Sequence, residues 1–413
     1  MLRYLLPPIF LLLMFPITTS AATPARFWQV QSIDTMKYSR DLSGQVKNDP
    51  KFDAVIDAQI KQIAATGATH MAIGTPYDDT FLPVLHRWVA SARKYHLNVW
   101  FRGNFAGWEK WFGFSRIDRP THLKLTESFV LNNKDLFIDG DIFTSCPECE
   151  NGGPGDPRQT GDVAGHRQFL KDEYRVLVKS FSVIGRRVTA NYFSMNGDVA
   201  KLIMDAATTK DLGGVVVIDH YVATPEKLVA DIKSISEKSG GLVVLGEFGA
   251  PIPDIHGRLD EFHQAEWIKN ALSLLSRTPQ LIGINYWVGV GGSTQLWLEN
   301  GKALQAAAVI TSYFSPGQSK ITVRNSAGKI IQGEINYLDR GYSTDTRGEI
   351  LLPQTDSSVQ IKVTSAGYRE VYLTIGPSAT QVSVELEPEH RKFWYNLQLL
   401  TYRLKKSILS LFK

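Results

Sequence analysis

The sequence is poor in cysteine and has no concentrated block of basic residues. The two cysteines, Cys146 and Cys149, are the ends of a CPEC tetrapeptide, and no second pair of metal-ligating residues accompanies them. The histidines also lack ligand spacing, so we predict no catalytic metal and no cofactor. The formal net charge is only +4. Without an Arg/Lys-rich block, this charge argues against a nucleic-acid partner.

The first 22 residues have the pattern of a secretory signal peptide. A basic residue, Arg3, precedes an apolar run from Tyr4 to Ile17, and small residues follow at 20–22. Three prolines interrupt the short run, so a permanent transmembrane helix ranks second. No cysteine follows the run for a lipid anchor. We therefore expect a secreted or cell-surface protein, in which a disulfide between Cys146 and Cys149 is permitted; a redox motif is the alternative.

Residues 26–315 alternate between strand-like and helix-like segments through eight rounds. The predicted strands are 27–34, 69–77, 97–104, 141–148, 186–194, 214–222, 242–249 and 283–290. Eight rounds predict an α/β fold, a (β/α)8 TIM barrel whose functional residues lie at the carboxyl ends of the strands. An open doubly wound sheet is the rival, but no glycine-rich phosphate loop follows the first strand.

Residues 319–387 change to period-two strands separated by turns, which predicts a small all-β sandwich. The stretches Gly341 to Pro353 and Ser365 to Tyr368 resemble the carboxypeptidase regulatory-like, transthyretin-like accessory domains. We expect this domain to be a spacer or an interaction module, since nothing in it looks catalytic.

Residues 390–413 form a third kind of segment, predicted to be a basic amphipathic helix. Apolar residues recur at helical spacing at Leu397, Leu400, Leu404, Ile408 and Leu411, among six basic residues. Such a helix suits an anionic membrane surface, which would give peripheral membrane or cell-surface contact. Packing against the sandwich or a partner protein is an equal alternative.

Polar and aromatic residues converge at the predicted strand ends. They are Arg102 and Asn104 on strand 3, Glu148 on strand 4, His220 and Tyr221 on strand 6, Glu247 on strand 7 and Trp287 on strand 8. With its GEFG, HY and tryptophan motifs, the chain resembles the retaining glycoside hydrolases of clan A, most closely family 5. Nine tryptophans suit a protein that stacks on sugar rings.

The resemblance implies a role for each converging residue. Glu247 is the nucleophile and Glu148 the acid/base, with the two carboxyls about 5 to 5.5 Å apart as retention requires. Tyr221 is expected to hydrogen-bond Glu247, and Trp287 to form the floor under a sugar ring. His220 and Arg102 are expected to tune the charge near the pair, and Asn104 to bind substrate.

Strand 4 departs from the clan pattern, which has an asparagine directly before the acid/base. Here Pro147 precedes Glu148, and Glu150 is a competitor for the role. We favour Glu148 because it lies nearer the strand end. Asn191, at the end of predicted strand 5, is a candidate for the missing amide. A disulfide between the flanking cysteines would constrain the backbone around Glu148.

The leading functional prediction is an exported retaining glycoside hydrolase that acts on a polysaccharide or cell-surface glycan. The alternative is a non-catalytic carbohydrate-binding or surface-interaction protein on a decayed barrel. Glycosyl transfer by the same two acids is a third. Trp108 and Trp111 either line an outer sugar subsite or cap the barrel.

Overall fold

The computed structural model describes residues 25–389. The predicted signal peptide and the predicted basic amphipathic helix lie outside the described residues, and both remain predictions. Within the described part, no helix has the length and apolar character needed to cross a bilayer.

Eight parallel strands form the first domain, confirming the predicted TIM barrel. They are β1 (Val30–Asp34), β2 (His70–Ile73), β3 (Asn98–Phe101), β4 (Ile142–Phe143), β5 (Ser194–Asn196), β6 (Val215–Asp219), β7 (Leu242–Phe248) and β8 (Leu281–Tyr286). Their order around the sheet is β4-β3-β2-β1-β8-β7-β6-β5. Two hydrogen bonds close the barrel between the β4 region and the segment that precedes β5, from Phe143 N to Thr189 O and from Thr189 N to Asp141 O (2.8 and 2.9 Å).

The helices surround the sheet on its outer side. They are α1 (Met36–Ser39), α2 (Ser43–Val46), α3 (Phe52–Ala65), α4 (Leu82–Lys94), α5 (Ala106–Glu109), α6 (Arg119–Asn132), α7 (Pro157–Thr160), α8 (Val163–Val183), α9 (Gly197–Ile203), α10 (Ala206–Asp211), α11 (Pro225–Ser239), α12 (Pro253–His256), α13 (Glu261–Ser276) and α14 (Gln305–Phe314). Their start signals are visible in the sequence. Thr224, for example, accepts a hydrogen bond from Lys227 N and caps α11, with Pro225 at the first helical position.

Side chains alternate between the barrel interior and the helix layer, because successive strand residues point to opposite faces. The interior is filled by one residue from each of seven strands or strand-forming segments: Val30, Ala72, Trp100, Ile142, Tyr192, Val217 and Val244. This apolar layer is a packed floor inside the barrel. The next inward positions toward the carboxyl ends lie directly above it.

Strands 4 and 5 are shorter than predicted. The predicted strand 141–148 pairs only at Ile142–Phe143, so Glu148 lies in the loop that follows. The predicted strand 186–194 pairs with β6 only from Ser194 onward. Before that point, the side-chain amide of Asn191 donates to Leu212 O (2.9 Å), next to the amino end of β6.

The second domain is a β domain of two facing sheets. Its strands are β9 (Gln318–Asn325), β10 (Glu334–Tyr337), β11 (Arg340–Ser343), β12 (Glu349–Pro353), β13 (Val359–Thr364), β14 (Val371–Ile375) and β15 (Gln381–Leu386). One sheet has the order β11-β10-β13-β14 and the other β12-β9-β15. Leu338 and Asp339 both have positive φ (53° and 59°), as the tight turn between β10 and β11 requires.

The β domain docks at the amino ends of the barrel strands. From β11, the Arg340 guanidinium donates to the backbone carbonyls of Phe27, Thr278 and Leu281 (2.6, 2.9 and 3.1 Å). Gln318 adds two side-chain bonds to the backbone of Ala25 (2.9 and 3.1 Å). The carboxyl ends of the strands, at the opposite end of the barrel, stay clear of the β domain.

Replacement of Arg340 tests this docking. We expect Arg340→Ala to lower the free energy of unfolding by about 3 kcal/mol, because three carbonyls lose a charged donor. Arg347→Ala is the matched control, since Arg347 is an exposed arginine of the same domain that pairs with Asp345, and we expect a loss below about 0.5 kcal/mol. Denaturant unfolding followed by tryptophan fluorescence measures both. Equal losses would show that Arg340 does not hold the domains together.

Candidate active site

A polar layer lies above the apolar floor, at the carboxyl ends of the barrel strands. It consists of inward-facing residues that are all buried: Asp34, Arg102, Ser194, Asp219, Glu247 and Asn285. The sequence prediction included only Arg102 and Glu247 from this set. Strand alternation could have found Asp34, Ser194 and Asp219, since these three residues are in phase with the inward residues of their own strands or strand-forming segments.

Glu247 reaches this layer through a β-bulge. Strict alternation from the inward Val244 would point Glu247 toward the helices. The register between β6 and β7 shifts instead, with Ile218 opposite Leu245 and Asp219 opposite Glu247. The extra residue is Gly246, where a Cβ would collide with the carboxylate of Asp219. The glycine therefore permits the bulge that aims Glu247 into the barrel.

Arg102 is the centre of the layer. It is only 1% exposed. Its Nη2 donates to Asp219 Oδ2 and Glu247 Oε1 (both 3.0 Å) and to Ser194 Oγ (3.2 Å). Its Nη1 donates to the Gly246 carbonyl and lies 3.6 Å from Asp34 Oδ2. One guanidinium thus compensates three carboxyls from three different strands.

The second carboxyl oxygen of Glu247 is bound by a residue of the loop after β6. The Tyr221 hydroxyl donates to Glu247 Oε2 (2.8 Å). Trp287 meets the Tyr221 ring edge to face, with centroids 6.1 Å apart, and Lys37 Nζ lies 5.5 Å from the Trp287 ring centroid. The structure therefore brings together four of the sequence-predicted site residues: Arg102, Tyr221, Glu247 and Trp287.

Glu148 approaches the same site from the loop after β4. Its backbone is left-handed (φ 47°), its amide donates to Ser194 O (2.8 Å) and its Oε2 accepts from Asn151 Nδ2 (2.9 Å). The cysteines on either side of it, Cys146 and Cys149, are joined in a disulfide. The disulfide and the hydrogen bond to Ser194 O thus restrain the backbone around Glu148.

Glu150 points elsewhere. It is 2% exposed, and its Oε1 accepts from both the backbone amide and the side-chain amide of Asn196 (2.7 and 3.0 Å). Its carboxyl is thus anchored to the start of α9.

A cleft of about 230 Å³ joins the two glutamates that remain. It is lined by Met36, Arg40, Arg102, Glu109, Trp111, Pro147, Glu148, Asn151 and Glu247. Glu150 is not among these residues. A larger cavity of about 680 Å³ lies between α13, α14 and the β domain, far from the carboxyl ends of the strands. Among residues 25–389, no group of three or more His, Cys, Asp and Glu side chains could hold a metal ion.

The structure does not bring three of the predicted residues into this group. His220 precedes Tyr221 and so points outward, where its Nε2 contacts Asp231 Oδ2 of α11 (3.0 Å). Asn191 binds the carbonyl at the amino end of β6, so the amide beside Glu148 is that of Asn151. Asn104 does not contact Glu148 or Glu247. Its Nδ2 donates instead to Glu109 Oε1 (3.0 Å) at the cleft wall.

The two tryptophans of the loop after β3 have different positions. Trp108 is buried against Phe169 and His122 (ring centroids 5.2 and 4.4 Å) and so belongs to the core. Trp111 lines the cleft, with the Arg40 guanidinium 5.1 Å from its ring centroid. Glu109 and Arg40 were not predicted from the sequence.

Burial sets the proton affinity of the carboxyls. It raises the pKa of Glu148 to about 7, and the negative charges of Glu247 and Glu150 add to the rise. Burial raises the pKa of Asp219 to about 7 as well. Burial and the charge of Asp219 raise the pKa of Glu247, while Arg102 and the Tyr221 hydroxyl oppose that rise. With one cation for several acids, this layer retains protons near neutral pH.

Comparison with known proteins gives matches in structure only. No protein-family model matches the chain, and no curated protein matches it in sequence. GH5_18 from Streptomyces cattleya, solved in complex with GlcNAc, gives a TM-score of 0.52 at 14% identity, over 73% of this chain and 85% of that chain. A GH5_18 variant from Bifidobacterium longum subsp. longum, in complex with Manβ1-4GlcNAc, gives 0.52 at 14% identity, over 73% and 84%. The chain shares the TIM-barrel fold of these two proteins.

A third neighbour is much longer than this chain. It is β-glucuronidase 2 from Bacteroides uniformis, covalently bound to cyclophellitol-6-carboxylate aziridine, with a TM-score of 0.45 at 10% identity. The match covers 81% of this chain but 44% of the glucuronidase chain. This chain therefore spans less than half of that enzyme.

Removal of the central cation tests the electrostatics of the layer. We expect Arg102→Met to lower the free energy of unfolding by about 3 to 5 kcal/mol at pH 8, because buried carboxyls lose their compensating charge. The loss should be smaller at pH 5. Without Arg102, the pKa of Asp219 rises further, so the folded protein binds more protons than the unfolded chain and loses stability as the pH rises.

Denaturant unfolding at pH 5 and pH 8 measures this effect. Arg187→Met is the control, since that side chain is 88% exposed and pairs with Asp139. A loss for Arg102→Met that does not change with pH would contradict the account of the layer.

Proposed function

We propose that the protein is an exported retaining glycoside hydrolase that cleaves O-glycosidic bonds of a polysaccharide or cell-surface glycan. The observation that carries the proposal is the position of Glu247. A bulge aims it into the barrel, Arg102 and Tyr221 bind its two oxygens, and it shares a cleft with Glu148. The TIM-barrel fold is consistent with this chemistry but does not assign a substrate.

The first step of the proposed reaction forms a covalent intermediate. Glu247 attacks the anomeric carbon, the bond from that carbon to the leaving oxygen breaks, and Glu148 gives its proton to that oxygen. In the second step, water attacks the anomeric carbon, and Glu148 takes a proton from that water. The carbon–Glu247 bond then breaks, and the product keeps the configuration of the substrate.

The reaction requires charge on Glu247 and a proton on Glu148. Arg102 and Tyr221 donate to the Glu247 carboxyl and oppose the rise of its pKa to about 8, which burial and the negative charge of Asp219 cause. Within residues 25–389, the carboxyl of Glu148 accepts a hydrogen bond only from the neutral amide of Asn151, and its raised pKa suits an acid that works near neutral pH. Because the pKa of Glu247 does not lie below that of Glu148, the two roles are assigned from the positions of the carboxyls and not from their pKa values.

Glu148 is a better candidate for the acid/base than Glu150. Glu148 lines the cleft, whereas Glu150 is held by the two donors of Asn196. The disulfide between Cys146 and Cys149 supports a fixed position for Glu148.

A second candidate is a non-catalytic glycan-binding protein. The loop after β4 favours this second function, since Pro147 stands where the clan has asparagine and the backbone of Glu148 is in the left-handed region. In either case we propose that the β domain is a spacer or an interaction module, because it docks at the end of the barrel opposite the cleft. Export, and contact of residues 390–413 with a cell surface, belong to the same proposal.

The pH dependence of hydrolysis tests the assignment. On a panel of aryl β-glycosides, we expect kcat/KM of the wild type to fall as the pH rises through about 7, because Glu148 loses its proton there. Glu148→Gln should lower the rate about 10² to 10⁴-fold for poor leaving groups and abolish this alkaline limb. Glu150→Gln is the control and should keep the limb.

Two outcomes would oppose the proposal in different ways. An alkaline limb that persists in Glu148→Gln and disappears in Glu150→Gln would transfer the role to Glu150. Binding of glycans by the wild type without hydrolysis of any would favour the non-catalytic function.

A further inference from the structure

A buried chain of polar side chains leads from the helix layer to the wall of the cleft. It runs from Glu173 of α8 through His122 of α6 and Asn104 after β3 to Glu109 at the end of α5. Glu173, His122 and Asn104 are fully buried. The links are Glu173 Oε1 to His122 Nδ1 (2.9 Å), His122 Nε2 to Asn104 Oδ1 (2.9 Å) and Asn104 Nδ2 to Glu109 Oε1 (3.0 Å). The three positions behind Glu109 have no contact with Glu148 or Glu247.

Hydrogen-bond chemistry fixes the direction of the chain. The Phe105 backbone N–H can only donate, and it donates to Asn104 Oδ1 (2.8 Å). The amide nitrogen of Asn104 therefore faces Glu109, whose Oε1 accepts. Asn104 Oδ1 also accepts from His122 Nε2, so that nitrogen carries a hydrogen. The rings of Trp108 and Phe105 enclose His122 (centroids 4.4 and 5.3 Å) and exclude water from the chain.

Glu109 is bound on one oxygen only. Its Oε1 accepts from Asn104, while its Oε2 accepts no hydrogen bond within residues 25–389, and the residue lines the cleft. Burial raises its pKa to about 7, and the nearby positive charge of Arg40 opposes the rise. Glu109 is half-buried, so its second oxygen is accessible from the cleft and can accept a hydrogen bond from a ligand there.

Arg40 supplies the opposite chemistry on the same wall. Its guanidinium stacks over Trp111 (5.1 Å), its Nε donates to Asp41 Oδ1 (2.8 Å), and its side chain lines the cleft. Its terminal nitrogens donate no hydrogen bond within the described part of the chain. A sugar hydroxyl can accept from a guanidinium and donate to a carboxyl at the same time. Adjacent hydroxyls can therefore use both groups.

We propose that Glu109 is a specificity-determining residue of the cleft, which accepts a hydrogen bond from a hydroxyl of a neutral pyranose, with Arg40 donating to the same or the adjacent hydroxyl. The inference rests on the proposed glycosidase function for its substrate class. Asn104, His122 and Glu173 are positioning residues that hold Glu109. A uronic acid is disfavoured, because three carboxyls and two guanidinium groups line the cleft, and an amino sugar would meet Arg40.

Glu109→Gln is the direct test. The amide oxygen of the substituted side chain can keep the bond from Asn104, but its amide nitrogen then presents a donor to the cleft in place of the acceptor. With aryl glycosides of neutral sugars, we expect KM to rise about tenfold, the loss of one hydrogen bond, while kcat changes less. Glu237→Gln, on the exposed side of α11, is the control and should leave both constants unchanged.

Deoxy substrates separate recognition from a structural effect. We measure kcat/KM of the wild type and Glu109→Gln on the 3-, 4- and 6-deoxy analogues of the best aryl glycoside. At one position, loss of the hydroxyl should cost the wild type about tenfold and cost Glu109→Gln almost nothing. Equal costs in both proteins at every position would overturn the proposal. Preference for a glucuronide or a glucosaminide over the neutral glycosides would also overturn it.

The positioning chain has its own readout. His122→Leu should raise KM as Glu109→Gln does, and the double variant should show no further rise, which a purely structural effect would not produce. If the rises in KM of the two single variants multiply in the double variant, the hydrogen-bonded side chains do not act through Glu109. The single Glu109→Gln variant keeps the proposal testable if His122→Leu does not fold.

Failure of the hydrolase function is distinguishable from failure of this inference. If the wild type hydrolyses no glycoside, the hydrolase function fails, and the same comparison is made by calorimetry with methyl glycosides and their deoxy analogues. Coupling between Glu109 and one hydroxyl in binding supports the inference. Additive losses, or the absence of binding, overturn it.

Discussion

The structure depends on one buried guanidinium. Arg102 lies above an apolar floor and pairs with three carboxyls. They belong to Asp34 at the end of β1, Asp219 at the end of β6 and Glu247 after the bulge of β7. A lone cation or a lone carboxyl at this depth would be strongly destabilising, so the acids and the arginine are stable only together. Because each comes from a different strand, the electrostatic requirement and the closure of the barrel support each other. The same cation favours charge on the carboxyl that the proposed chemistry uses.

Two local irregularities turn this scaffold into a site. The extra residue at Gly246 rotates Glu247 from the helix layer into the barrel. The loop after β4 brings Glu148 to the same cleft, held by the Ser194 carbonyl and flanked by a disulfide. The β domain is attached at the other end through Arg340, so it leaves the cleft open. The cleft and the β domain thus lie at opposite ends of the barrel.

Periodicity was sufficient to predict the fold, and local motifs predicted part of the site. The eight alternating segments and the GEFG motif led to the barrel and to Glu247. Strand alternation also explains why adjacent His220 and Tyr221 differ, since one points to α11 and the other to Glu247. The sequence could not reveal the bulge at Gly246, because a register shift depends on pairing with β6. It also could not reveal Glu109, whose position depends on contacts from α6 and α8.

The central claim is that Glu247 forms a bond to the sugar. Incubation with a panel of activated 2-deoxy-2-fluoro glycosides, followed by proteolysis and mass spectrometry, measures this directly, because slow hydrolysis of the fluorinated intermediate lets it accumulate. We expect one glycosyl group on the peptide that contains Glu247, and no label in Glu247→Gln. A glycosyl group on any other residue would contradict it.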